Sequence, residues 1–223
     1  MSKKTLYIIR HGQTEQNRQK MVQGSGVNSN LNDYGRQQAQ AFYEYYHDVP
    51  FDKIYTSELK RTHQTVMPFI NQGICWEKHS GFNEMSWGHR EGRPITPKDD
   101  EEYYATLEAW KSGEIDRRFD GGESPLEMTE RQRVALNHVM SYPEEKNVLI
   151  CMHGRAMRSF MCLLAGISVS NMYQFSHGNT ALYQVEFDTE SLHFQFIKKN
   201  DITHLNRLNN PNPEFNLYQK VTI

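Results

Sequence analysis

TLYIIRHG (residues 5–12) and NVLICMHG (147–154) share one design: a short apolar run that stops on a histidine followed by a glycine. Runs this short and this apolar read as strands buried on both faces, the habit of parallel sheets. In open parallel sheets, ligands bind just beyond the carboxyl ends of the strands. If the two runs are neighbours, Arg10, His11 and Gly12 reach the same edge as His153 and Gly154, and the two imidazoles face each other across one crevice. Gly154 then opens a helix, whose first N–H groups favour an anion. Two histidines and an arginine at a helix start suit a phosphate dianion.

Working outward, strand-like and helix-like patterns alternate. DKIYTS (52–57) reads as a short strand, and ICWEKHSGF (74–82) as a strand running into a loop. TALYQVEFD (180–188) and LHFQFIKKN (192–200) read as a hairpin closed by a three-residue turn. Helical spacing covers 33–47, with Ala39, Phe42, Tyr43 and Tyr46 near one face. Residues 58–71 read as a helix with Ser57 as N-cap and Pro68 expected to kink or end it. Residues 98–112 and 124–141 look helical on either side of the glycine turn DGGES (120–124), and 154–166 forms a helix ended by Gly166. The Asn/Pro-rich stretch 208–216 reads as a surface loop. The alternation predicts an α/β fold: a mostly parallel central sheet with helices on both faces, a three-layer sandwich, with the hairpin adding an antiparallel edge. Residues 1–223 are expected to form a single domain in which about 84–125 interrupts the rhythm as a small lid or insert.

Composition narrows the classes. The chain has 223 residues, 25 Lys+Arg against 27 Asp+Glu, and a formal net charge of -2. With no long block of like charge, it argues against a nucleic-acid partner or an anionic membrane surface. Cys75, Cys151 and Cys162 include no CxxC pair and read as free thiols in a reducing compartment. The apolar run before Arg10 is too short for a signal-peptide core, and no stretch approaches the ~20 apolar residues of a membrane span. The expected location is cytoplasmic. The 10 histidines are scattered, without HExxH or paired-ligand spacing, which makes a zinc hydrolase a weak alternative; no metal and no cofactor are expected.

RHGQTEQN (10–17), SELKRTHQT (57–65), FNEMSWGHREG (82–92), GGES (121–124) and CMHG (151–154) occur in the order in which similar strings occur in the histidine phosphatase superfamily, also called phosphoglycerate-mutase-like. The sequence resembles that family from residue 5 to 183. The resemblance implies that His11 is the nucleophile and becomes phosphorylated. Such a histidine needs one unprotonated nitrogen facing phosphorus and a partner for the other, for which the Gly12 carbonyl is available. Arg10 and Arg61 resemble the two family arginines that hold charge on the transferring phosphoryl group, and His153, if protonated, adds a third positive donor. Asn17 and Gln23, with Gly24 and Gly154, match positions at the phosphate or substrate mouth. Glu84 aligns with the glutamate that serves as general acid and then base. Glu123 reads as structural, capping the helix at Ser124 or pairing with an arginine.

The chain departs from the pattern in places. NSNL (28–31) stands where the family often has D-x-P-L, so Asn28 and Asn30 replace an acid and a proline. Arg90 stands where tryptophan commonly precedes EG. Trp87, Tyr103, Tyr104, Trp110 and Phe119 crowd the insert and read first as local core, second as substrate contacts. The implied activity is a metal-independent phosphomonoesterase acting on a small phosphorylated substrate. The alternative is a phosphoglycerate mutase; family mutases usually carry a longer segment between the acid and GES, and Arg117 and Arg118 are the one feature for a second anionic group. An inactive binding protein on the same fold is a third class, against which the joint retention of Arg10, His11, Arg61, Glu84 and His153 argues. A homodimer is left open.

Overall fold

The structure is a computed structural model that describes residues 3–93 and 97–208. In chain order its main elements are β1 (Lys3–Arg10), α1 (Glu15–Arg18), α2 (Asp33–Tyr46), β2 (Lys53–Thr56), α3 (Lys60–Asn71), β3 (Trp76–Lys78), α4 (Pro97–Ser112), α5 (Pro125–Met140), β4 (Asn147–Met152), α6 (Gly154–Ala165), β5 (Leu182–Asp188) and β6 (His193–Asp201). The strands form one sheet in the order β3-β2-β4-β1-β5-β6. The first four run parallel, and β5 and β6 are antiparallel. The α/β expectation, with a mostly parallel sheet and an antiparallel hairpin edge, is what the chain adopts. The register of β1 on β4 pairs Ile9 with Cys151 and Arg10 with Met152, so both strands end at the same level.

The two-residue period of the strands divides the core into two layers. Leu6 and Ile8 of β1 and Val148, Ile150 and Met152 of β4 join Met128, Val139 and Phe160 of α5 and α6 on one face. Ile9, Leu149 and Cys151 join Phe42 of α2 and Val66 and Phe69 of α3 on the other. The insert is not a separate cluster: Trp87, Trp110 and Phe119 belong to the first layer, and Trp110 is fully buried. Tyr103 is half-buried against it and Tyr104 is exposed.

Several local expectations need correction. Pro68 neither ends nor breaks α3, which continues to Asn71. Buried Val66 and Phe69 flank it and hold the helix on the sheet, so packing outweighs the missing N–H. Ser57 is not the N-cap of α3; that position is Leu59, and the Ser57 hydroxyl turns inward. The hairpin turn holds four residues, because Asp188 pairs with His193 and Leu192 adopts a φ of 56. Gly166 caps α6 in the left-handed region, as expected. The Asn/Pro-rich stretch beyond Leu208 lies outside the described residues. Among the described residues no helix is long and apolar enough to cross a membrane.

Candidate active site

The crevice at the ends of β1 and β4 is a cavity of about 490 Å³. His11 and His153 meet there with ring centroids 5.1 Å apart. Their environments differ. The Nδ1 of His11 lies 2.7 Å from the Gly12 carbonyl, to which it donates, leaving Nε2 without a proton. Burial, with Arg61 and Arg10 beside it, holds the His11 ring well below the usual histidine value, so it is neutral. The loop after His11 is pinned, with the Gly12 N–H donating to Thr65 Oγ1 (2.9 Å) and Asn179 Nδ2 donating to the His11 carbonyl (2.9 Å). Gly12 is required by a close approach: a Cβ there would stand 2.5 Å from the Gly35 carbonyl oxygen at the start of α2.

His153 is fully buried and both ring nitrogens are occupied. Nδ1 accepts from Arg61 Nε at 3.1 Å, and Nε2 donates to Ser57 Oγ at 2.8 Å. Burial, followed by the charge of Arg61, holds this ring well below the usual value too. The condition set for His153, that it carry a proton on both nitrogens, is opposed here by burial and by the Arg61 guanidinium that donates to its Nδ1. Arg61 is equally enclosed. Its remaining nitrogens donate to the Val27 and Gly24 carbonyls, and burial brings its pKa down to about 10. Neither Arg61 nor His153 lines the cavity; both lie behind His11.

Arg10 does line it. Its guanidinium rests over Gly154, with Cζ 3.4 Å from where a Cβ would be. Among the described residues its buried Nε has no hydrogen-bond partner, and burial lowers its pKa. A desolvated guanidinium with an orphaned donor fits an anion.

Glu84, 7 % exposed, takes the place expected for the phosphate. The first N–H groups of α6 point at its carboxyl group: Ala156 N donates to Oε1 (2.9 Å) and Arg155 N to Oε2 (3.0 Å), while Met85 N also donates to Oε1 (2.9 Å). The helix start is thus filled by a side chain of the protein. Oε2 accepts one of these three N–H groups and Oε1 the other two, and Glu84 lines the cavity. Glu123 is structural, as expected, through the arginine: Arg131 grips both its oxygens at 2.6 and 2.8 Å and reaches the Glu84 carbonyl at 3.3 Å. The cap at Ser124 is closed by Glu127 instead.

Asn17 and Gln23 line the cavity. Asn17 closes a capping box with Thr14 and accepts from Asn179 at 3.2 Å. Gln23 donates to Thr14 Oγ1 at 2.6 Å and accepts from Ser29. Gly24 does not line the cavity; a Cβ there would meet the Glu91 carboxylate, which ties this loop to the insert. Asn28 accepts from the Lys60 N–H at the start of α3 (2.8 Å), and Asn30 accepts from Gln64. Arg117 and Arg118 are ion-paired with Glu114 and Glu127 and do not line the cavity. Lining residues missed in the sequence include Arg155, Arg158, Tyr173, His177 and Lys20. HGRAMR (153–158) carried the signal for two of them, since arginines three apart after a strand-end His-Gly share one helix face. Among the described residues no group of three or more His, Cys, Asp and Glu could hold a metal ion.

Comparison with known proteins agrees with this architecture. The family profile of the Histidine phosphatase superfamily (branch 1) matches residues 6–200, and the chain belongs to that superfamily. A Hydrogenobacter thermophilus protein named "Putative phosphoserine phosphatase 2" is 27% identical over 213 residues, 92% of this chain and 96% of the relative. A Proteus mirabilis protein named "Probable phosphoglycerate mutase GpmB" is 29% identical over 187 residues, 82% of this chain and 84% of the relative. Among solved structures, a mycobacterial glucosyl-3-phosphoglycerate phosphatase superposes with a TM-score of 0.77 at 25% identity, covering 89% of this chain and 99% of the other. The same phosphatase is known in complex with inorganic phosphate.

Proposed function

We propose that this protein is a metal-independent phosphomonoesterase that works through a phosphohistidine on His11. The observation that carries the reading is one pairing: a neutral His11 with Nδ1 fixed on the Gly12 carbonyl, beside an Arg10 guanidinium with an orphaned Nε. In the first step His11 Nε2 attacks phosphorus, the ester P–O bond breaks, and Glu84 gives its proton to the leaving oxygen. In the second, water attacks phosphorus, the P–N bond breaks, and the Glu84 carboxylate takes the water proton. Arg10 balances the charge on the equatorial oxygens. Arg61 acts behind the site, holding His153 and adding positive charge next to His11.

A mutase reading has one observation in its favour, the likeness to the Proteus mirabilis relative. The short span from Glu84 to Glu123 and the two relatives named as phosphatases favour hydrolysis. Turnover of a phosphomonoester in ¹⁸O-water with EDTA present separates the readings. Hydrolysis predicts free phosphate carrying solvent oxygen at an undiminished rate. An isomerised ester without released phosphate would support the mutase, and loss of turnover restored by a divalent cation would overturn metal independence.

A further inference from the structure

GGES (121–124) and the helix α5 that follows it do not border the cavity: neither Glu123 nor any residue of α5 lines it. They converge instead on Glu84 from behind. Arg131 of α5 spreads one guanidinium over a carboxylate and three backbone carbonyls. Nε and one terminal nitrogen grip Glu123 at 2.6 and 2.8 Å. The other terminal nitrogen donates to the Gly81 carbonyl at 2.9 Å and to the Ser80 carbonyl at 3.3 Å. The nitrogen shared with Glu123 also reaches the Glu84 carbonyl at 3.3 Å. Donors fixed in one plane can do this, and the ammonium of a lysine cannot. Glu123 orients the fork, and the fork holds the backbone that leads to Glu84.

The next residue works on the other half of the same assembly. Gln132, fully buried, donates from Nε2 to the Ala156 carbonyl at 2.7 Å. Ala156 is one of the two residues at the start of α6 whose N–H meets the Glu84 carboxyl group. Adjacent residues of α5 thus hold the main chain of Glu84 and the helix end that receives its side chain. Further ties keep the two halves in register. The hydroxyls of Thr129 and Ser159 lie 3.1 Å apart between α5 and α6, and Phe82 packs edge-on against Phe160 of α6 with centroids 5.7 Å apart. A carboxyl group that hands a proton to a leaving oxygen has to sit within hydrogen-bond reach of it, and small displacements are costly.

We propose that Arg131, set by Glu123, is a positioning residue for the proton-transferring carboxyl group of Glu84. The proposal rests on Glu84 as the acid of the hydrolytic reaction and adds the residues that place it. Arg131 also lowers the pKa of His153, after Arg61, His11 and Arg10, so charge and position have to be told apart.

The test measures single-turnover phosphoenzyme formation from propyl phosphate and from nitrophenyl phosphate and takes the ratio of the two rates. Both rates come from one protein sample, so the ratio does not depend on the fraction folded. The propyl alkoxide needs a proton on leaving, and nitrophenolate does not. Arg131→Gln should lower the propyl-to-nitrophenyl ratio by about 10–10²-fold. Added to Glu84→Gln, the same change should lower it no further, because two residues acting through one proton are not additive. Arg131→Lys keeps the charge without the fork and should recover little. Glu123→Gln leaves Arg131 in place with its grip loosened; it should shift the ratio the same way by a smaller factor, and it reads the proposal where Arg131→Gln does not fold. An unchanged ratio in Arg131→Gln, or in Glu123→Gln where it stands in, overturns the proposal. Full recovery in Arg131→Lys assigns the effect to charge and overturns the positioning role, and a further fall in the double variant places the action elsewhere than Glu84. The reading of Glu84 fails separately: an unchanged ratio in Glu84→Gln overturns both, whereas a lowered ratio there with none in Arg131→Gln overturns the proposal alone.

Discussion

At the scale of the residue, Glu84 concentrates the chemistry. Its two oxygens receive three backbone N–H groups, one from the adjacent Met85 and two from Arg155 and Ala156, 71 and 72 residues on, which fixes the carboxyl group in place. Glu84→Gln keeps the shape but replaces one oxygen with an amide donor. Kept on Oε1, the amide oxygen can still accept from Met85 and Ala156, while the new NH₂ opposes the Arg155 N–H. A stability loss of about 1–3 kcal/mol follows, read by urea denaturation. The kinetic effect should depend on the leaving group. An alkyl alkoxide needs the proton, so phosphoenzyme formation from an alkyl phosphate should slow by about 10²–10⁴-fold. Nitrophenolate leaves as an anion and should suffer far less. Single-turnover rates measure this step alone. Equal losses for both leaving groups would mean that Glu84 only positions the substrate.

At the scale of the element, β1 shows how one strand serves both stability and site. Its carboxyl end delivers Arg10 and His11, while near its start Lys4, 5 % exposed, reaches across to the end of α5. The ammonium donates to the Val139 carbonyl and, at 3.0 Å, to the Tyr142 carbonyl, closing a helix end that would otherwise be buried without partners. Burial lowers the Lys4 pKa, so the contact holds the group against a desolvation cost. Lys4→Met should destabilise by about 1–3 kcal/mol, because it leaves carbonyls unpaired, without altering kcat/KM. Unchanged stability would mean that water replaces the ammonium there. The same strand explains what the sequence made legible. The apolar runs ending in RHG and MHG dictated that β1 and β4 be buried, and their pairing brought the histidines together. The alternation of strand-like and helix-like runs likewise announced helices on both faces of the sheet. What the sequence hid was decided by contacts between distant segments. Arg61 looked free to face the crevice, yet it turns inward to His153, 92 residues on. The α6 start looked ready for phosphate, yet Glu84 fills it. Pro68 obeys packing over propensity.

At the scale of the whole molecule, the buried histidines couple the site to stability. His11, His153 and His177 all have pKa values held well below 6.5, first by burial, and His204 is held at about 4. Each takes up a proton more readily unfolded than folded. Stability is therefore full above pH 6.5 and falls as pH drops through the unfolded value, by about 1.4 kcal/mol per pH unit for each group still neutral in the folded state. Urea unfolding at pH 7.5, 6 and 5 should show a steep decline; a flat profile would mean the rings protonate in place. By the same shift, kcat/KM should show no loss near pH 6.5 attributable to His11, in contrast to an enzyme whose nucleophilic histidine is solvent-exposed.

The account depends most directly on the covalent intermediate. Rapid acid-free quench of a single turnover with ³²P-labelled nitrophenyl phosphate, followed by peptide mapping, reads it. The expected label is acid-labile and base-stable, forms at the rate of nitrophenol release, and lies on the peptide containing His11. It is absent in His11→Ala. Label on any other residue, or undiminished turnover in His11→Ala, would contradict the central claim.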